Sequence, residues 1–167
     1  MSIYGYCRIS TAKQSIDRQI RNIKAEYPTA HIVQEAYTGT SIFRPEWLKL
    51  YRILRAGDVV VFDSVSRMSR NAEEGFALYE DLYHKGIRLV FLKEHHIDTE
   101  TYKKALSGSI AMTGTNVDFI LKGINEYLMA LAKEQIKLAF EQSEKEVADL
   151  HQRTREGLLT ARLNGKQ

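Results

Sequence analysis

A single cysteine, Cys7, stands in the 167-residue chain, so no disulfide framework can support the fold. It lies inside an apolar run at residues 3–7, where a thiol is a small buried packing group. Long hydrophobic runs are missing too. No stretch approaches the ~20 apolar residues of a membrane span, and the N-terminus lacks the pattern of a signal peptide. The expectation is a cytosolic protein with no membrane partner. Several catalytic signatures are absent: G-x-x-x-x-G-K-[ST], G-x-G-x-x-G, H-E-x-x-H and G-x-S-x-G do not occur. Nucleoside triphosphate, dinucleotide, zinc-protease and α/β-hydrolase chemistries therefore lack support. A charge excess of one sign is also lacking, since the net charge is only +3 and does not by itself argue for nucleic acid.

The distribution of charge says more. Residues 1–30 carry Arg8, Lys13, Arg18, Arg21 and Lys24 against Asp17 and Glu26. From residue 150 onward Arg153, Arg155, Arg162 and Lys166 face only Glu156, while residues 141–149 are acidic. Basic ends with an acidic belt between them are compatible with a polyanionic partner.

In the first half, strand-like and helix-like segments alternate. The run at 3–7 precedes Ile16, Ile20, Ile23 and Tyr27, whose 4-3-4 spacing marks one helix face. Residues 31–37 read as a second strand, and Pro45 suits the first turn of a helix. Val59, Val60, Val61 and Phe62 are apolar on both faces, as in a buried parallel strand. Asn71 with Glu74 resembles a capping arrangement, and residues 87–92 read as a fourth strand. This pattern predicts an α/β fold: a three-layer α/β/α sandwich on a mainly parallel sheet of four or five strands.

The second half differs. Residues 107–116 are small and turn-prone, and no proline occurs between 117 and 164. Val117, Leu121, Ile124, Leu128, Leu131 and Leu138 keep a seven-residue rhythm, and Ile136, Phe140, Val147 and Leu150 keep another in a shifted frame. One helix of roughly 45 residues would reach about 65–70 Å, against a globule roughly 40 Å across. It must protrude, and a protruding apolar stripe implies a dimerisation element. Two shorter helices folded onto the sheet are the alternative. The division expected is a catalytic-type domain at 1–115, a long helix at 116–155, and the start of a linker towards a further DNA-binding domain at 156–167.

Ligand sites in open α/β sheets sit at the carboxyl ends of the strands. The first strand delivers Arg8 and Ser10 there, the loop after the second delivers residues 38–44 with Arg44, and the third runs out into "DSVSRMSRN" with Asp63, Ser66, Arg67 and Arg70. Four guanidiniums around one hydroxyl repel one another until an anion arrives, and their planar forks match phosphate oxygens. Such a cluster would stabilise the extra charge of a pentacoordinate phosphorus as a serine oxygen attacks it. Plainer readings make Ser10 a helix cap and pair the arginines with Asp63 or Glu94. A rival enzyme reading places Mg²⁺ on Asp58, Asp63, Glu94 and Asp98 as a metal-dependent nuclease. His95 and His96 are a weak metal signal, because neighbours on a strand point apart.

Together "YCRIST", Gln14, Gln19, Gly39 followed by Arg44-Pro45, "GDVVVFDSVSRMSRN" and "HHIDT" resemble the serine recombinases, the family of resolvases, invertases and transposon recombinases. The resemblance implies that Ser10 attacks a DNA phosphodiester without metal, nucleotide or other cofactor, giving a 5′-phosphoserine link and a free 3′-hydroxyl. It implies DNA as partner, a homodimer, and a tetramer in strand exchange. Arg8, Gln19, Arg44, Arg67 and Arg70 would bind and activate the phosphate, with Gln14 and Asp63 as accessory residues. The long helix would lie on DNA, with Glu144 and Lys145, or alternatively Glu146, at the family's carboxylate-plus-base position. Ser66 stands where many members carry an aspartate, a role Asp63 would have to fill. A catalytically silent, dimeric DNA-binding remnant is the non-enzymatic alternative.

Overall fold

The structure, a computed structural model, describes residues 1–9, 13–36, 44–107 and 110–165, side chains excepted at 13–15, 147, 148, 150 and 151. Four strands, β1 (Ile3–Ile9), β2 (His31–Ala36), β3 (Val59–Phe62) and β4 (Arg88–Phe91), form one parallel sheet in the order β2-β1-β3-β4. β3 is buried at all four positions, as its unbroken apolar run requires. Gly57 (φ 92°) and Gly86 (φ 77°) turn the chain into β3 and β4 in the left-handed region open to glycine.

Helix α1 (Lys13–Glu26) covers one face, where Ile16 and Ile23 pack with Cys7, Val59, Val61 and Val90. The opposite face carries α2 (Pro45–Ile53), α3 (Val65–Met68), α4 (Ala72–His84), α5 (Thr99–Ser107) and the long α6 (Asp118–Asn164). Its core joins Tyr6, Val60, Phe62 and Phe91 to Trp47, Tyr79, Leu82, Ile136 and Phe140. The expected three-layer α/β/α sandwich is thus formed on four strands. β1 is flanked by β2 and β3, which are reached over opposite faces. The crevice between the carboxyl ends of β1 and β3 is therefore the topological switch point, where such sheets bind ligands.

Local differences from the sequence reading have physical causes. Arg8 lies within β1, because the strand continues to Ile9. The "DSVSRMSRN" segment contains the one-turn helix α3, too short to show a period. His95 and His96 stand on a 3₁₀ turn, His95–Ile97, and not on a strand end. α5 follows it directly.

α6 is one helix of 47 residues, about 70 Å at 1.5 Å per residue. Ile136, Ala139, Phe140 and Ser143 are buried against the domain. Leu121 and Leu128 are half-buried, so they do not belong to the open row. The open row is Val117, Ile120, Ile124, Tyr127, Leu131 and Leu138, one heptad seam shifted from the one expected. In the second rhythm, Ile136 and Phe140 serve the core; the Val147 and Leu150 side chains lie outside the described residues.

Candidate active site

Gln19 of α1 is completely buried and acts as a false strand neighbour for β1. Its Oε1 accepts from the Arg8 backbone N–H at 3.1 Å, and its Nε2 donates to the Arg8 carbonyl at 3.0 Å. Both backbone groups are thereby satisfied beyond Tyr6, where the β1–β3 ladder ends. The position of Arg8 is fixed with them.

The Arg8 side chain, 5% exposed, donates through Nη2 to the Ser66 carbonyl of α3. Arg67 Nη1 donates to the Arg8 carbonyl at 3.3 Å. Arg44, the residue that precedes α2, donates Nη1 to the Met68 carbonyl at 2.6 Å, with its guanidinium carbon 5.9 Å from the centre of the Trp47 ring. These contacts go to backbone carbonyls, which orient a guanidinium without cancelling its charge. Arg8 is pushed down to about 10, first by burial and then by the charges of Arg44, Arg70 and Arg67, with Tyr6 opposing. Arg67 is lowered by burial; Asp63 opposes this, while Arg18 and Arg70 add to it. Four of the predicted arginines thus share one electrostatic neighbourhood at the crevice.

Arg70 precedes Asn71, whose Oδ1 accepts from the Glu74 N–H at 3.0 Å and caps α4. Glu144 of α6 accepts from the Ala72 N–H at 3.0 Å, so it sits on the same helix start. Lys145 is exposed, and Glu146 accepts from Gln142 Nε2 at 3.5 Å. Ser10, the Gln14 side chain and loop residues 38–43 lie outside the described residues.

The carboxylates do not form the metal site of the rival reading. Asp58 lies at the amino end of β3, accepting the Ser2 and Arg55 N–H groups at 2.9 Å each. Buried Asp63 accepts from Asn22 Nδ2 at 2.9 Å and pairs with Lys93 at 3.4 Å. Glu94 accepts from the Val65 N–H at 3.1 Å, starting α3, and burial pushes its carboxyl up. Asp98 accepts from the Phe91 N–H and meets His95 Nδ1, both at 2.7 Å. Each carboxylate already serves as a local cap or partner. Among the described residues no group of three or more His, Cys, Asp or Glu side chains could hold a metal ion.

Two residues of this neighbourhood escaped the sequence reading. Glu35, 1% exposed, lies opposite Arg8 in the β1–β2 register. It accepts from the Trp47 N–H at 2.9 Å and from the Tyr6 hydroxyl at 3.3 Å, tying the start of α2 to the sheet beside Arg44. Burial foremost pushes Tyr6 up to about 12, Arg44 opposing it and Glu35 adding to it. The available signal was period: Glu35 shares a strand face with core residue Val33, where a carboxylate without partners is costly. Arg18 is the second, exposed on α1 and one turn before Asn22.

The fold defines the class: a parallel α/β domain with four arginines in one electrostatic neighbourhood at its switch point. The profile described as "Resolvase, N terminal domain" matches residues 3–136, and the chain belongs to that family: it is the catalytic domain of a site-specific serine recombinase. The transposon Tn21 resolvase of Escherichia coli is 27% identical over 159 residues, covering 92% of this chain and 83% of that protein. A resolvase of Clostridium perfringens (strain 13 / Type A) is 27% identical over 166 residues, covering 98% and 74%. A solved structure of a resolvase family site-specific recombinase from Streptococcus pneumoniae aligns at 19% identity and a TM-score of 0.47, covering 96% and 97%. No helix among the described residues is long and apolar enough to cross a membrane.

Proposed function

We propose that this domain cleaves and rejoins DNA through a covalent link to Ser10. The Ser10 hydroxyl gives up its proton to water as its oxygen attacks a phosphodiester. The new Oγ–P bond forms as the P–O3′ bond breaks, and the leaving 3′ oxygen takes up a proton from water. The products are a 5′-phosphoserine and a free 3′-hydroxyl. Attack by a 3′-hydroxyl on the phosphoserine reverses the step and joins the exchanged ends. Arg8, Arg44, Arg67 and Arg70 hold the phosphate and the added charge of its transition state; Gln19 holds Arg8 in position.

The observation that carries this reading is the burial of Arg8 within the field of Arg44, Arg67 and Arg70, with Arg8, Arg44 and Arg67 each donating to a backbone carbonyl. Like charges at close range destabilise the empty site, and a phosphate diester offsets that cost on arrival. The open row of α6 supplies a homodimer contact, with a tetramer assembling for strand exchange.

The test is a denaturant-quenched reaction in EDTA with duplex DNA taken from the sequence flanking the coding region. Wild type is expected to leave protein attached to a DNA end, and Ser10→Ala none, with folding and DNA binding nearly unchanged. Cleavage by Ser10→Ala at the normal rate would remove Ser10 as the nucleophile.

A further inference from the structure

Asp63 is a buried carboxylate with cations on more than one side. Asn22 of α1 holds one of its oxygens at 2.9 Å, Lys93 stands 3.4 Å from the other, and the charge of Asp63 acts on Arg67. Arg18 lies one helical turn from Asn22 on α1, so both project from the same face of that helix. Its charge is also felt by Arg67. Arg18 is exposed and forms no hydrogen bond or ion pair among the described residues. Lys93 is about half exposed. Arg67 belongs to both groups, donating to the Arg8 carbonyl and lying within the field of Asp63.

We infer that Arg18, Arg67 and Lys93 form a second phosphate subsite on the α1 side of the crevice, which takes a backbone phosphate next to the one held by Arg8, Arg44 and Arg70. The inference deepens the proposed reaction and rests on it for the identity of the anion. Two features fit a backbone contact. The subsite is shallow, since Arg18 and Lys93 are exposed where Arg8 is buried, which suits a phosphate that is gripped but not attacked. Asp63 beneath it keeps Arg67 and Lys93 from repelling each other in the empty state and leaves Arg18 uncompensated for the ligand. Arg67 then joins the two subsites, so the strand runs from the α2 and α4 side of the crevice across β1 and β3 towards α1.

Each phosphate contact by a cation contributes about 0.9 to the slope of log K against log salt. The experiment measures binding of the full chain to a 40-base-pair duplex of arbitrary sequence over a series of salt concentrations. Arg18→Ala is expected to lower the slope by about one. Arg18→Lys should keep the wild-type slope. Arg52→Ala removes an exposed cation from α2, away from the crevice, and should leave the slope unchanged. An unchanged slope in Arg18→Ala overturns the subsite, and so does an equal fall in Arg52→Ala. Binding to this duplex needs no cleavage, so failure of the chemistry shows itself separately, as wild-type protein that forms no covalent adduct.

Discussion

The backbone of Arg8 depends on the side-chain amide of Gln19, which supplies one acceptor and one donor at the last paired turn of β1. Gln19→Ala leaves the buried Arg8 N–H unpaired and its carbonyl to Arg67 alone, and the cost is about 1–3 kcal/mol. Urea unfolding should show a lower midpoint, and covalent adduct formation should fall with it. A variant as stable as wild type would show that water replaces the amide. His95 supplies a pH-dependent contact of another kind. Its hydrogen bond to Asp98 is the main cause of its raised pKa, burial opposes it, and the charges of Asp98 and Glu26 add to it. Because the folded pKa lies above the unfolded one, the stabilisation is complete below about pH 6.5. It is lost as pH rises through the folded value. His95→Ala should therefore destabilise the protein most near pH 5.5 and least near pH 8, roughly one unit or more either side of the unfolded value. A stability difference that is constant with pH would contradict the protonated pair.

Among the elements, α4 and α6 cross closely at Gly75. A Cβ at Gly75 would come within 2.6 Å of Phe140 Cδ1 and Cε1, and 3.1 Å from Ser69 Cβ. Alanine in a helix is ordinarily about 1 kcal/mol better than glycine. Here Gly75→Ala is expected to destabilise by about 1–3 kcal/mol, because the ring and the helix behind it must move. A stabilised Gly75→Ala protein would show that α6 does not pack here as described. The elements readable in advance were those with a pattern long enough to have a period. β3 was legible because both its faces are buried, and α4 because Asn71 announces its start. α3 was not, since four residues give no repeat and its first N–H is met by Glu94 from beyond β4. Glu35 was hidden for a related reason. Its partners, Tyr6 and Trp47, come from β1 and α2, and only the folded sheet brings them together.

For the molecule as a whole, α6 has two tasks on two faces. Ile136 and Phe140 close the core over the sheet, while Val117, Ile120, Ile124, Tyr127, Leu131 and Leu138 remain open. Removing the chain after residue 115 would strip the core as well as the open row, so point substitutions make the cleaner test. In sedimentation wild type should run as a dimer, and Ile124→Glu with Leu131→Glu as a folded monomer. A double variant that still dimerises would place the contact elsewhere. The long helix was legible from its lack of proline and its sevenfold rhythm, but which leucines face the domain was not, because spacing alone lets Leu121 and Leu128 fit either face. The arginine cluster was legible as residues at strand ends. Its anchoring on backbone carbonyls was not, since that depends on α3.

The central claim is that a phosphoserine forms at Ser10 without a metal ion. The most direct measurement is peptide mass spectrometry of the protein after reaction with DNA in EDTA, denaturation and nuclease digestion. The account predicts a nucleotide remnant on the peptide that contains Ser10, joined through its 5′-phosphate and absent when Ser10 is alanine. A remnant on any other residue, or cleavage that requires Mg²⁺ and leaves no remnant, would contradict it.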